Sequence, residues 1–378
     1  MRSSHKTTTL AGWIIKIMNK NNKLQKGIFF TDIHFGRRSN SVTHNEDCIA
    51  YIEWLCDNVK KHGADYLAFL GDWNENRNSL NIQTLNYSYK AAKMLNDLGI
   101  PVYFVVGNHD LYYRHSREIH SVVPFNEFDN FVVIDSPTVV DDIQDGMLFC
   151  PYLFHDEYAQ LAQYNHVPFW AGHFEFRGFV VTGYSVTMPT GPDPKDYNGP
   201  RYVASGHFHK RQAHENIVYI GNTFPMDFGD AGDDNRGFMM YDHQKDEMTF
   251  EDWAECPKYR KTTLSELLDP ETRTNVLSLN ARVKCMVDIP ISFEESTYLR
   301  EKFIEDYSLR ELSMEETPDI QTALSDTETD IDWDNEELSN VKDLVFKMLS
   351  NIETAHIDNE LLIRLYQDVK HRASSLKE

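Results

Sequence analysis

The chain has no apolar run long enough to span a membrane, which excludes a transmembrane helix as its organising element. Its five cysteines, at positions 48, 56, 150, 256 and 285, form no C-x-x-C pair and are odd in number. That excludes a disulfide framework and fits buried thiols in a reducing compartment, a cytoplasm. No internal repeat is visible. Positive charge is scarce: 37 Lys and Arg stand against 59 Asp and Glu, a net charge of −22, which argues against a general polyanion-binding surface. The deficit is uneven, because residues 311–337 hold eleven acids and no Lys or Arg. Much of the excess therefore lies away from the residues discussed next, and nucleic acid stays open as a substrate. The N-terminus has one short apolar patch, broken by Lys16, where a signal peptide needs a longer uninterrupted one. Residues 1–23 read as a disordered leader, with Met18 an alternative start.

What the chain does have is five short motifs in its first two-thirds. They are Asp32-Ile33-His34, Gly71-Asp72, Gly107-Asn108-His109-Asp110, Gly172-His173 and Gly206-His207-Phe208-His209. Each follows an apolar, strand-like run. Alone, each is ordinary turn chemistry or a surface histidine. In this order they supply carboxylate, amide and imidazole ligands for a two-metal phosphoesterase centre.

The runs Gly27–Thr31, Tyr66–Leu70 and Val102–Val106 read as buried strands. Between them lie two helical stretches. The first is opened by a capping box at Thr43-x-x-Glu46 and closed by Gly63; the second spans roughly Leu80–Leu98. This β-α-β-α-β rhythm predicts parallel strands, whose carboxyl-end loops are where sites assemble. After Pro124 shorter strand candidates follow: Phe131–Ile134, Met147–Cys150, Phe169–Gly172, Phe179–Gly183, Tyr202–Ser205, Ile217–Ile220 and Gly237–Tyr241. They predict a second sheet packed on the first. The catalytic unit is then 24–256, and 257–312 a small α/β module with a strand at Arg282–Ile289 and a helix at Phe293–Tyr307. Residues 313–335 read as an acidic linker. Residues 336–378 carry two amphipathic helical stripes, Leu338 to Ile352 and Leu361 to Val369, which need a partner face to bury them.

Hydrolysing a phosphate ester needs a nucleophile at neutral pH and neutralised phosphoryl oxygens; two divalent cations roughly 3.5–4 Å apart supply both. Asp72 is the natural bridging carboxylate. Asp32, His34 and His209 would complete one metal, and Asn108, His173 and His207 the other. Imidazole mixed with carboxylate suits Mn, Fe or Zn better than Mg or Ca. His109, beside a ligand, would face the substrate and protonate the leaving oxygen, with Asp110 orienting its ring and raising its pKa. Loops leaving the motifs carry Arg37, Arg38, Arg77, Tyr112, Tyr113, Arg114 and Arg117. On a common rim these would hold phosphates and stack on bases.

The set resembles the calcineurin-like metallophosphoesterase superfamily, over about 26–242. Within it the chain is similar to the SbcD-type DNA nuclease subunits, including those encoded by phages. The later Tyr219-Ile220-Gly221 and Arg236-Gly237-Phe238 belong to the same match. The resemblance implies a four-layer α-β-β-α sandwich with a small α/β capping domain and a helical tail. It implies two metal ions, usually Mn2+, and a recombination and repair function. The activities implied are exonuclease on double-stranded DNA and endonuclease on single-stranded or hairpin DNA. It also implies an SbcC-type coiled-coil ATPase partner, docked through 336–378, and a homodimer, in the host cytoplasm if the chain is phage-encoded. One departure stands out. Cellular members commonly carry histidine three residues after the second-motif Asp, a residue associated with exonuclease action; here that position is Glu75. Two other functions compete: a phosphatase or small-molecule phosphodiesterase using the same centre, and a non-catalytic scaffold subunit that keeps the fold.

Overall fold

The computed structural model describes residues 23–181 and 186–316. The leader and the two C-terminal stripes lie outside these residues. Among the described residues fifteen strands follow in chain order. The first four are β1 (Lys26–Phe30), β2 (Tyr66–Phe69), β3 (Val102–Val105) and β4 (Phe131–Ile134). Next come β5 (Thr138–Val140), β6 (Met147–Cys150), β7 (Phe169–Gly172), β8 (Tyr202–Ser205), β9 (Gln212–His214) and β10 (Ile217–Tyr219). The last five are β11 (Gly237–Asp242), β12 (Glu247–Asp252), β13 (Lys258–Thr263), β14 (Ala281–Val287) and β15 (Glu311–Glu316).

Two six-stranded sheets result, in the orders β12-β11-β1-β2-β3-β4 and β5-β6-β7-β8-β10-β9. β1 to β4 run parallel, as do β6, β7, β8 and β10. Antiparallel strands occupy the margins. The parallel strands read as unbroken apolar runs because both faces are covered. Phe29, Tyr66, Tyr103 and Val105 point between the sheets and meet Phe149, Phe169 and Ala204. Phe29 stacks on Phe169 and Tyr103 on Phe149. The alternate residues Ile28, Phe30, Leu67, Phe69 and Phe104 face two helices, α1 (Val42–His62) and α2 (Ile82–Asn96). On the far side Leu148, Trp170, Val203 and Tyr219 are covered by Leu153, Tyr158, Leu161 and Phe174. The fourth layer is therefore a 3₁₀ segment, His155–Tyr164, with loops.

Helix α1 starts earlier than its sequence indicates. Ser41, not Thr43, is the cap, and its hydroxyl accepts from His44 N–H. Gly63 closes the helix in the left-handed conformation, as expected (φ 59). The strand anticipated at Phe179–Gly183 reduces, within the described residues, to one bridge between Val180 and Thr187.

A separate core holds the C-terminal module. It contains the parallel sheet β13-β14-β15 with α3 (Leu264–Leu268), α4 (Pro270–Val276) and α5 (Phe293–Tyr307). The linker expected from 313 does not begin there. Residues 313–316 belong to β15, where Leu312 is buried and Met314 packs against the module core. Glu315, an acid that read as linker, is paired by the neighbouring strand with Lys284 (2.6 Å), as Glu311 just before it is with Arg282 (2.8 Å). The module is tied to the two-sheet body by Arg310 to Asp47 (2.5 Å), Arg260 to Asp234 (2.8 Å) and the Tyr259 hydroxyl donating to Met226 O (2.8 Å). Among the described residues no helix is long and apolar enough to cross a membrane, and all five cysteines are buried thiols.

Candidate metal centre

The motif residues sit just past the carboxyl ends of β1, β2 and β3 in one sheet and β7 and β8 in the other. Pairing between the loops after β1 and β2 continues beyond the strands: Asp32 N–H donates to Gly71 O (3.0 Å), His34 N–H to Asp72 O (3.2 Å) and Phe35 N–H to Trp73 O (2.8 Å). Four side chains project from left-handed backbone: Asp32 (φ 53), His34 (φ 52), Asp72 (φ 62) and His207 (φ 88). The motif glycines permit close approach. A Cβ on Gly107 would lie 2.2 Å from Asp72 N, and one on Gly206 2.1 Å from Thr31 Oγ1.

Each site aspartate divides its oxygens between scaffold and site. Asp32 Oδ2 accepts from Thr31 Oγ1–H (2.7 Å) and His207 N–H (3.1 Å). Its Oδ1 is buried without a hydrogen bond, 3.8 Å from His34 Nε2 and 3.9 Å from His209 Nε2. Asp72 Oδ1 accepts from His109 N–H (2.8 Å). Its Oδ2 lies 3.9 Å from His34 Nε2 and 3.4 Å from His173 Nε2, facing both halves of the cluster.

The imidazoles are anchored from behind. His173 Nδ1–H donates to Leu70 O (2.7 Å). His207 Nε2 contacts Glu175 Oε2 (3.0 Å), and His34 Nδ1 lies 2.8 Å from Glu75 Oε2. The opposite nitrogens then face acceptors. His173 Nε2 and His207 Nδ1 are each 2.9 Å from Asn108 Oδ1 and 3.3 Å apart, and the Nε2 atoms of His34 and His209 are 3.2 Å apart. Lone pairs converging at such distances repel unless a proton or a cation lies between them. Donors sharing a cation at about 2.0–2.2 Å stand about 3–4 Å from one another, the separations found here. The donor set thus fits two cations. One fits Asp32, His34 and His209, the other Asp72, His173 and His207 with Asn108, and Asp72 faces both.

The titration tendencies agree. Burial opposes ionisation of Asp32 and Asp72, yet the surrounding histidines hold both below the usual carboxylate range. Burial would depress His34 and His173, but their carboxylate neighbours raise them to about 10 and about 9. The anionic cluster draws positive charge inward. Burial and repulsion from His34 push His209 down to about 3.

His109 is half-buried with its ring 4.9 Å from that of His34. Its Nδ1 is oriented by the Glu75 carbonyl (2.8 Å), and burial lowers its pKa. The expected part of Asp110 is corrected. Its carboxylate is fully buried and accepts the backbone N–H groups of Gly107 (3.0 Å), Asp72, Trp73 and Asn74 (3.1 Å each). Asp110 clamps the loops after β2 and β3 together; it neither orients the His109 ring nor raises its pKa.

The basic rim is only partly free. Arg37 pairs with Asp227 (2.7 Å) and Glu75 (3.4 Å), Arg38 with Glu311 (3.3 Å), and Arg117 with Glu157 (2.6 Å). These three hold the fold together, contrary to the expectation of a row of phosphate contacts. Arg114, Tyr112 and Tyr113 are exposed and Arg77 is half-buried. Sequence reasoning missed Glu175 and Tyr152, whose ring lies 5.8 Å from that of His207. It also missed His44, which contacts the His34 carbonyl (2.9 Å) from α1. The acid two residues beyond the Gly172-His173 pair was the only local hint of the first.

The family described as calcineurin-like phosphoesterase matches residues 28–211. The chain is 28% identical over 225 residues to Exonuclease subunit 1 of Enterobacteria phage T4, covering 58% of this chain and 65% of that protein. It is 22% identical over 243 residues to the uncharacterized metallophosphoesterase YhaO of Bacillus subtilis (strain 168), covering 59% of each. The match thus spans less than two thirds of either relative's length. A dimetal phosphatase from Danio rerio superposes with a TM-score of 0.38 at 8% identity, covering 61% of this chain and 96% of that one. Residues 28–211 of this chain form a calcineurin-like phosphoesterase domain.

Proposed function

We propose that this chain is the nuclease subunit of a two-metal DNA-processing enzyme, hydrolysing backbone phosphodiesters in recombination and repair. The observation that carries the hydrolase part is the cluster of lone pairs converging from Asp32, His34, Asp72, Asn108, His173, His207 and His209. Similarity to a phage exonuclease subunit supports DNA as the substrate. Bound divalent cations, Mn2+ by preference, would supply a neutral-pH nucleophile and neutralise the phosphoryl oxygens. The remaining work falls to the chain. Asp32 and Asp72 fix one oxygen each on the backbone and keep the other for the site. His109 presents Nε2 to the substrate because Nδ1 is held by Glu75 O. An arriving phosphate brings the negative charge that restores a proton to Nε2 against the effect of burial, and that proton passes to the departing oxygen. Tyr112, Tyr113, Arg77 and Arg114 contact the strand, and residues 257–316 orient the duplex. An SbcC-type ATPase docks on 336–378, two copies of the chain form a homodimer, and the complex works in the cytoplasm.

The internal pairing of Arg37, Arg38 and Arg117 favours one competitor, a small-molecule phosphodiesterase, which needs no extended basic rim. One assay separates them. Linear, hairpin and circular DNA and bis(p-nitrophenyl) phosphate are offered with Mn2+ or Mg2+, with and without the ATPase. Manganese-dependent DNA cleavage, abolished by chelation, is expected. Turnover of the phenyl ester with every DNA left intact would overturn the nuclease assignment. Removing 336–378 should abolish ATPase binding and leave ester hydrolysis unchanged.

A further inference from the structure

The two halves of the centre share a feature that the hydrolysis scheme does not use. Each has one histidine whose rear nitrogen lies beside a glutamate: His207 Nε2 is hydrogen-bonded to Glu175 Oε2 (3.0 Å), and His34 Nδ1 lies 2.8 Å from Glu75 Oε2, off the line of a hydrogen bond but close enough for the carboxylate charge to favour a proton on that nitrogen. The glutamates come from different sheets, Glu75 from the loop after β2 and Glu175 from the loop after β7. We infer that Glu75 and Glu175 are paired positioning residues, each fixing the proton on one histidine so that its other nitrogen offers a lone pair to its own cation site.

A neutral imidazole carries one proton, on either nitrogen, and only the bare nitrogen binds a cation. With the proton on Nδ1 of His34, Nε2 is bare. It faces His209 Nε2 at 3.2 Å, Asp32 Oδ1 at 3.8 Å and Asp72 Oδ2 at 3.9 Å. With the proton on Nε2 of His207, Nδ1 is bare and faces Asn108 Oδ1 at 2.9 Å and His173 Nε2 at 3.3 Å. Both glutamates are themselves held. Arg37 reaches Glu75 Oε2 at 3.4 Å while pairing with Asp227 at 2.7 Å, and Glu175 N–H donates to the Tyr158 hydroxyl at 2.7 Å. The group His34, Glu75 and His109 also gathers three possible ligands. A third cation there would need His34 to bind through both nitrogens at once, so the positioning role accounts better for Glu75.

The inference rests on the two-cation reading, and the experiment tests the two separately. Mn2+ is titrated into the full-length, metal-stripped protein by calorimetry. Wild type is expected to show two binding events. His209→Ala identifies the event belonging to the Asp32 half, and Asn108→Ala the event belonging to the other. Glu75→Ala should weaken the first event about 10–100-fold and leave the second within about threefold; Glu175→Ala should do the reverse. That crossed pattern is one that a general loss of structure would not produce. If an alanine variant fails to fold, Glu75→Gln or Glu175→Gln, which keep the volume, should weaken the same single event. Wild type without two events overturns the cation reading and the inference with it. Two wild-type events, with both affinities unchanged in the glutamate variants or both falling together, overturn the inference alone.

Discussion

Replacing Asp110 with asparagine tests whether this residue clamps loops or serves catalysis. Its Oδ2 accepts from Gly107 and Asp72 and its Oδ1 from Trp73 and Asn74, in a position with no solvent exposure. Burial and the Asp72 carboxylate raise its pKa to about 7, while the N–H donors lower it. Those donors fill the lone-pair positions on both oxygens and leave no room for a proton, so it serves as a carboxylate. Asn puts an NH2 group where one oxygen was, so two backbone N–H groups face a donor. A hydrogen bond to a charged group contributes about 1.5–3 kcal/mol, so losing two costs about 3–6 kcal/mol. A domain has only about 5–15 kcal/mol in total. Urea unfolding of the metal-free protein should show a markedly lower midpoint at an unchanged slope. Had Asp110 served His109, turnover would fall while the unfolding free energy stayed within about 1 kcal/mol of wild type. A wild-type midpoint for Asp110→Asn would refute the clamp.

Gly206→Ala should lower both stability and metal affinity, because the new Cβ lies 2.1 Å from Thr31 Oγ1 and 2.9 Å from Asp32 Oδ2; thermal melts with and without Mn2+ check this. His109→Asn should retain both Mn2+ ions by calorimetry while cleavage falls about 10²–10⁴-fold, and surviving cleavage would remove His109 from the reaction. If Arg114 holds one phosphate, Arg114→Ala should lower the slope of log affinity for DNA against log salt by about 0.9 for duplex. Glu157 gives the pH prediction. Burial opposes its ionisation, but the Arg117 guanidinium and Phe154 N–H prevail and hold it below its ordinary 4.5. A carboxyl lowered on folding contributes stability that is fully present above its unfolded value and lost as pH falls through the folded one. Unfolding midpoints should therefore drop on acidification below about pH 4.5, and Glu157→Gln should shrink that drop.

The parallel strands, and with them the convergence of the seven motif side chains past their ends, were legible because covered strands must be apolar on both faces, and runs such as Tyr66–Phe69 and Val102–Val105 leave no alternative. The polar strands were not. β9, β12 and β13 lie at sheet margins and read as QAH, EMTFED and KYRKTT, with few buried residues to mark them. β15 was hidden by its acids, whose neutralising partners Arg282 and Lys284 lie about one helix earlier in the chain. Asp110 was misjudged for a related reason. Its partners are backbone amides, which leave no trace in side-chain identity, and three of them lie 36 to 38 residues away.

The strained backbone explains why the ligands follow the strands so closely. Non-glycine residues in the left-handed region cost of order 1–3 kcal/mol each, so Asp32, His34, Asp72 and His207 together store about 4–12 kcal/mol. That is comparable with the stability of a whole domain. Ligand binding at a hundred times its dissociation constant returns only about 2.7 kcal/mol per site. Two such sites return about 5.4 kcal/mol, enough for only the lower part of that range, so cation binding alone does not account for these turns and the protein holds them beforehand. The means are visible: the ladder that continues past β1 and β2, the Thr31 and His207 donors on Asp32, the His109 donor on Asp72, and the four amides gathered by Asp110. Rigid two-sheet packing directly beneath supplies the rest. Held in this way, the donor atoms stand 2.9–3.9 Å from one another, the spacing that ligands of a shared cation require, and a site built on such supported turns is precise where one on flexible loops is not.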